Sequence, residues 1–291
     1  MCFGVRDAIQ LALEQANARP ITVLGDLVHN ETVLKTLREQ GVKIEHQVAH
    51  VTTPTVLITA HGASEKALQQ VKASGLQVME ATCPLVRHAH RALQQLVSEG
   101  FHPVVIGRRG HVEVKGLTED LQTADIILNE EDLNVMSPRP RYGVIAQTTQ
   151  PLMRVEKLVR ALKERFPEAE VRFVDTVCQP TKQRQNAALD LARACDVVVV
   201  IGGVNSNNTQ ELVTSCRTHC DRVYQVQGPD DLKGTWFKAE DTIGITAGTS
   251  TPDPVIDAVE AWLTDFATFQ ERVVAYAVEA GMEVSGAPSV Q

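Results

Sequence analysis

Three cysteines sit where a thiol can do chemistry. Cys83 closes the short apolar run that begins at Val78, and Pro84 and a helical pattern follow it: Leu85, Val86, Ala89, Ala92, Leu93, Leu96 and Val97. Proline suits the first helical position, where its missing N–H costs nothing. Asp175-Thr176-Val177-Cys178 repeats Glu80-Ala81-Thr82-Cys83 without a gap, and Ala187, Ala188, Leu191, Ala192 and Cys195 continue it as a second apolar helix face. Met1-Cys2-Phe3-Gly4-Val5 is a truncated third copy, carried on by Ala8, Ile9, Ala12, Leu13 and Ala16. Each of Cys2, Cys83 and Cys178 is therefore expected at a helix amino terminus. There the dipole and unpaired amides favour the thiolate, the form that binds metal.

Three thiolates from distant segments suit a 4Fe-4S cluster with one iron left unligated by protein. Such an iron can act as a Lewis acid toward a substrate oxygen. Zinc is the rival, since its catalytic sites also use three protein ligands. Zinc motifs, however, bring two ligands close in sequence, and none of these three cysteines has another within four residues. Cys195 reads as core. Cys216 and Cys220, four apart on a predicted helix with His219 beside them, read as small buried residues, with a metal pair as the alternative.

The elements that must position these groups recur in each third of the chain. Ile21–Leu24 runs to His29-Asn30, and Thr55–Thr59 to Ala60-His61-Gly62. Pro103–Ile106 runs to Gly107–Glu113, and Tyr142–Ala146 to Gln147-Thr148-Thr149-Gln150-Pro151. Val197–Ile201 runs to Gly202–Asn208, and Thr242–Thr246 to Ala247–Asp253. Helix-like segments are expected at 31–40, 64–73, 152–165, 207–219 and 253–266. Continuous rather than alternating apolar runs indicate strands buried on both faces, as in parallel α/β layers, where ligands gather at the carboxyl ends of strands.

The predicted fold class is therefore α/β: three pseudo-equivalent small α/β subdomains, trefoil-like, around a central iron-sulfur cluster. The expected boundaries are 1–82, 83–177 and 178–270, with 271–291 as a C-terminal tail. Only Met1 precedes Cys2, so either the true start lies upstream or the last subdomain lacks a strand.

At 291 residues and 43% hydrophobic content the chain can bury a substantial core. A net charge of −8 and 4% aromatic content argue against nucleic acid, which needs a basic footprint and stacking surfaces. No apolar run reaches the roughly 18–20 residues of a membrane span, and no secretory signal is visible. The expectation is a cytoplasmic monomer whose six cysteines serve metal or core rather than disulfides.

Taken together, these segments resemble the IspH (LytB) family of 4-hydroxy-3-methylbut-2-enyl diphosphate reductases. The resemblance runs from Cys2-Phe-Gly-Val-Arg-Asp-Ala-Ile9 through Val28-His29-Asn30, Ala60-His61-Gly62, Glu80–Leu85 and Gly110-His111-Val-Glu113. It continues with Gln147-Thr148-Thr149, Asp175–Cys178, Arg184-Gln185, Asn205-Ser206 and Thr246–Asp253. It implies that Cys2, Cys83 and Cys178 hold a 4Fe-4S cluster and that an allylic hydroxyl is removed reductively. It implies Glu113 as proton donor, Thr148 beside the substrate hydroxyl, and His111 in the catalytic set. Substrate-binding positions would be His29, His61, His111, Thr148, Thr149, Ser206, Asn207, Asn208 and Ser250.

The diphosphate set lacks lysine, so at least one histidine is expected to be protonated when substrate is bound. Arg108 and Arg109 read as a solvated rim. Asn207 stands where the family commonly has a second serine, and its bulk would crowd or shift one phosphate contact. Gln179-Pro180 follows Cys178 where an aromatic or small residue is usual.

No Gly-x-Gly-x-x-Gly is present for a flavin or nicotinamide, so electrons are expected from a ferredoxin or flavodoxin. Arg87, His88, His90 and Arg91 are candidates for its docking patch. Two rivals remain at this level. One is a quinolinate-synthase-like three-lobed 4Fe-4S enzyme. The other is a redox sensor whose cluster or zinc never turns over, against which Glu113 and Thr148 argue.

Overall fold

Parallel strands alternate with helices along the chain, as the continuous apolar runs predict. The computed structural model describes residues 1–279 and separates into two compact units, residues 2–182 and Met1 with the chain from Gln183 onward. The first unit opens with α1 (Phe3–Ala18), β1 (Ile21–Leu24), α2 (Glu31–Glu39), β2 (Lys43–Glu45), β3 (Thr55–Ile58), α3 (Glu65–Ala73) and β4 (Gln77–Glu80). It continues with α4 (Pro84–Ser98), β5 (His102–Ile106), α5 (Val112–Thr118), β6 (Asp125–Ile127), β7 (Arg141–Ala146), α6 (Leu152–Arg165) and β8 (Glu170–Phe173). Helix α7 (Gln179–Ala194) contains the boundary. The second unit holds β9 (Val197–Ile201), α8 (Asn207–Cys216), β10 (Arg222–Val226), β11 (Ile243–Ala247) and α9 (Asp253–Glu279).

The first unit contains two four-stranded sheets with one connectivity used twice, β2-β1-β3-β4 and β6-β5-β7-β8. The second unit has the three-stranded sheet β10-β9-β11. All pairings are parallel. Because the strands run the same way, each sheet has one edge at which strands end and helices begin, and Cys2, Cys83 and Cys178 all immediately precede helices.

The central strands are the runs visible in the sequence. Val197–Ile201 is fully buried, as are Val104, Val105 and Ile106, each contributing roughly 1.5–3 kcal/mol by leaving water. Ala8 and Ala12 of α1 pack on Ile21 and Val23, while Ala89, Leu93 and Leu96 of α4 pack on Val105 and Ile145. Strands β2, β6 and β10 were not anticipated. They lie at sheet edges, are short or half exposed, and carry mixed polar sequences such as Lys43-Ile44-Glu45. Helix α5 was also unforeseen, with Gly116 in its interior. Helix α9 extends to Glu279, past the 266 expected and into the segment assigned to the tail; residues 280–291 of that tail lie outside the described residues.

Within the first unit the two sheets are tied at the start of α3. The Asp120 carboxylate accepts from the backbone N–H groups of Glu65 (2.7 Å) and Lys66 (3.0 Å). Ser64 Oγ donates to Glu119 at 2.6 Å and accepts from Ala67 N–H at 3.1 Å, capping the helix. An anion at a helix amino terminus is favoured by the dipole and by otherwise unpaired amides. This joint follows His61 on one side and His111 on the other. Asp120→Ala is expected to cost about 1–2 kcal/mol, the range of a lost helix cap. The measurement is the denaturant midpoint, and an unchanged midpoint would show that the joint is not a structural tie.

Candidate active site

Cys83 and Cys178 reach their positions through strand–helix joints, and Cys2 stands directly before the first helix. Cys2 and Cys83 occupy the residues just before α1 and α4; the Cys2 thiol makes no capping hydrogen bond, while the Cys83 sulfur faces the Leu85 and Val86 amides at the start of α4. Cys178 precedes α7, with Sγ 3.0 Å from Thr181 Oγ1. Gly4 packs directly against Cys83: a Cβ built there would fall 2.5 Å from its Sγ. Only glycine leaves that thiol its place.

Burial raises the pKa values of Cys83 and Cys178. For Cys83 the backbone amides of Leu85 and Val86 pull the other way, and Cys2 and Glu113 push it up further. For Cys178 it is Thr181 that opposes burial, again with Glu113 and Cys2 adding to the rise. The expectation of thiolates favoured by helix amino termini is thus corrected: in the metal-free protein desolvation wins. Any metal taken by these thiols would have to displace their protons.

Glu113, in the first turn of α5, is 1% exposed. Its Oε1 accepts from Thr148 N–H at 2.7 Å and its Oε2 from Thr148 Oγ1 at 3.1 Å. Burial pushes its pKa up to about 7, against those two hydrogen bonds. A carboxyl in this state can be protonated at neutral pH and release its proton on demand.

His29, His61 and His111 meet at the ends of β1, β3 and β5. His29 and His61 stack with centroids 4.3 Å apart; His111 stands edge-on to them at 5.3 and 5.6 Å. Gly62 and Gly110 flank two of these rings with φ of +75° and +84°, left-handed values that keep the loops tight. Burial lowers the pKa of all three, and for His61 and His111 neighbouring imidazoles add to the effect. Arg108, read from sequence as rim, is exposed, yet its charge reaches His29 and His111. The three-histidine cluster therefore has a permanent cation at its edge. Thr149, one residue past Thr148, accepts from the Gln147 amide at 3.3 Å.

Among the described residues, a group of donor atoms all within 4.8 Å of one another, close enough for a single ion, is formed by His29, His61 and His111 and not by the thiols. A lone tetrahedral zinc would need sulfurs about 3.8 Å apart at its usual bond length. A polynuclear cluster spreads its ligands wider. The thiols are thus spread too widely for one ion, while Cys2 still lies within electrostatic reach of both Cys83 and Cys178, as donors to one polynuclear centre must.

In the second unit, Ser206 caps α8, its Oγ accepting from Thr209 N–H at 3.3 Å. Asn208 accepts from Thr249 N–H at 2.9 Å, which joins α8 to the loop after β11. Ser206, Asn207, Asn208 and Ser250 are all buried, and the Asn208 amide nitrogen has no partner. Cys216 and Cys220 are buried and lie against the carbonyls of Ala188, Asp196 and Arg222, as core residues do. Of the candidate docking residues, Arg87, His90 and Arg91 share a cleft with Glu65, Glu80 and Asp120, whereas His88 lines a separate one with Glu99 and Arg172; Arg87 pairs with Glu80 at 3.6 Å, so that surface is of mixed sign rather than basic.

The residues that hold the site, rather than line it, escaped the sequence reading. Glu119 and Asp120 have no motif of their own. Gly4 lay inside a matched stretch, with no sign that it borders Cys83.

Parallel sheets whose strand ends carry a set of thiols and a set of imidazoles define the class: an α/β protein with its polar, chemically capable side chains gathered where strands give way to helices. The chain belongs to the LytB protein family, whose model matches residues 1–264. It is 36% identical over 265 residues to the 4-hydroxy-3-methylbut-2-enyl diphosphate reductase of an Anaeromyxobacter species, covering 90% of this chain and 93% of that one. The reductase of Helicobacter pylori is 33% identical over 262 residues, covering 89% and 94%. Among solved structures, the E-1-hydroxy-2-methyl-but-2-enyl-4-diphosphate reductase of Plasmodium falciparum superposes with a TM-score of 0.83 at 27% identity, over 91% of this chain and 84% of that one. A second, described as the terminal enzyme of the non-mevalonate pathway, gives 0.65 at 31% identity, over 91% and 96%.

Gly4→Ala should displace Cys83 and lower the iron bound after anaerobic reconstitution, while the helix content stays unchanged. Full loading of the variant would contradict the packing argument.

Proposed function

We propose that the protein removes the allylic hydroxyl of 4-hydroxy-3-methylbut-2-enyl diphosphate, giving isopentenyl and dimethylallyl diphosphate. The C–O bond breaks, a C–H bond forms, and two electrons and two protons are consumed as the oxygen leaves in water. Membership of the family supports this reading, and one observation carries the site assignment: Glu113, buried and held at both oxygens by Thr148, lies in the electrostatic reach of Cys83 and Cys178.

Cys2, Cys83 and Cys178 would hold a 4Fe-4S cluster, which when bound supplies electrons and a coordination position not filled by protein. Everything else falls to side chains. Glu113 stores a proton at a carboxyl that burial keeps about half protonated near pH 7; the Thr148 hydroxyl, which donates to Oε2 at 3.1 Å, would have to turn and accept from the carboxyl to hand that proton toward the leaving hydroxyl. His29, His61, His111 and Thr149 donate to diphosphate oxygens, with Arg108 adding charge at the rim. We assign the same kind of donor to Ser206, Asn207, Asn208 and Ser250. Their neutral amides and hydroxyls bind phosphate by aim rather than by charge.

Electrons would come from a ferredoxin or flavodoxin. The surface around Arg87 and Arg91 is the candidate dock, one turn along α4 from Cys83 and beyond. Reversing both charges should slow reduction by such a carrier and leave the rate with a small chemical reductant unchanged. Unaltered carrier kinetics would remove the patch from consideration.

Glu113→Gln should keep the cluster and substrate binding but lower kcat by about 10²–10⁴, the usual worth of a general acid. In the unaltered enzyme, donation needs the protonated carboxyl, so turnover should fall as pH rises through about 7. Full rate in the variant would sink the assignment. The quinolinate-type rival is separated by a substrate panel. The sensor rival is separated by loss of turnover in Glu113→Gln, because a sensor has no use for a proton donor.

A further inference from the structure

His111 does two things with two nitrogens. It is the residue before α5, with φ −62° and ψ 139°, and its side chain caps that helix: Nδ1 accepts from Glu113 N–H at 3.1 Å. A neutral imidazole has one N–H and one bare nitrogen. Since Nδ1 is the acceptor, the proton of the neutral ring must sit on Nε2. Placing a second proton on Nδ1 would set N–H against N–H and cost the helix its cap.

The surroundings oppose that second proton as well. His111 faces His29, with Asp26 behind it, from the loop after β1; His61 from the loop after β3; Arg108 on its own loop; and Glu113 in the helix it caps. Burial first, then the charges of His29 and Arg108, bring its pKa down to about 4. The same lock separates anion from cation at the three-histidine cluster. A metal ion at Nε2 would require the proton to move to Nδ1, whereas an anion meets Nε2–H as it stands.

Resting on the proposed reductase reading, we infer that His111 is a neutral hydrogen-bond donor and positioning residue, fixed as its Nε2–H tautomer by capping α5. Its Nδ1 sets the first turn from which the Glu113 carboxyl projects, and its Nε2–H goes to a substrate oxygen. It delivers no proton to the leaving group. Any proton taken up to balance the diphosphate goes to His29, the ring of the three that a carboxylate, Asp26, favours, since burial and both neighbouring imidazoles oppose a charge on His61.

The tautomer is read directly from the imidazole ¹⁵N shifts of the cluster-loaded enzyme, with His111→Asn to assign the signal. One histidine should show a protonated Nε2 and a bare Nδ1, absent from the variant, with no titration between pH 6 and 8. An Nδ1-protonated ring, or a midpoint inside that range, overturns the inference.

Kinetics give an independent arm. Asparagine can still cap the helix through its side-chain oxygen but does not reproduce the ring N–H, whereas alanine loses both. His111→Asn should raise KM about tenfold or more, the worth of a hydrogen bond to a charged group, and keep the pH at which kcat falls. His111→Ala should raise KM similarly, lower kcat and shift that pH. If His111→Asn loses kcat as severely as Glu113→Gln with KM unchanged, His111 is a proton donor and the inference fails. Should Glu113→Gln keep full rate, the reductase assignment of Glu113 fails instead, and the ¹⁵N result still stands or falls alone.

Discussion

Desolvation governs this site. Burial disfavours whichever form of a group is charged, and here it acts on thiols, imidazoles and a carboxyl together. It leaves Cys83 and Cys178 protonated, His29, His61 and His111 neutral, and Glu113 poised near neutrality. The thiols, imidazoles and Glu113 carboxyl are therefore hydrogen-bonding groups with little charge of their own, and Arg108 supplies a fixed charge that reaches His29 and His111. On the proposed function, a cluster held by these thiols would expel protons from sulfur, a diphosphate would draw one onto imidazole, and Glu113 would give one to the leaving hydroxyl.

Such burial is possible because the sheets are parallel. Every strand delivers its chain to the same edge, where a helix starts and its first amides need partners. The chain meets that need with groups that double as site residues or their supports. His111 caps α5, Ser64 and Asp120 finish α3, and Ser206 caps α8. Function and folding share these joints. Glu113 lies two residues past its cap and is gripped by Thr148 from the end of the neighbouring strand β7.

The sequence made the fold legible wherever burial was complete. Val197–Ile201, Thr55–Ile58 and the apolar faces of α1 and α4 declare themselves because both faces of a strand, or one stripe of a helix, must be apolar. Edge strands β2, β6 and β10 were silent because they need only half a burial pattern, and Lys43-Ile44-Glu45 reads as loop. Helix α5 was hidden by its length and by Gly116, a poor helix former. At the site, the repeated strand–cysteine–helix context and the His-Gly and Gly-His pairs could be read directly. The supports could not: Asp120 reaches α3 across 54 and 55 residues of sequence, and no local pattern announces such a contact. The thiolate expectation failed for a related reason, since a helix dipole is local and visible in sequence, while the depth of burial opposing it is a property of the whole fold.

Mössbauer spectroscopy of the protein reconstituted with ⁵⁷Fe and sulfide addresses the central claim most directly, that Cys2, Cys83 and Cys178 grip one inorganic core with a vacant corner. The account predicts one diamagnetic four-iron centre in which three irons are alike and one is distinct, with the distinct signal alone moving when substrate is added. A single mononuclear iron, or four irons that substrate leaves untouched, would contradict it.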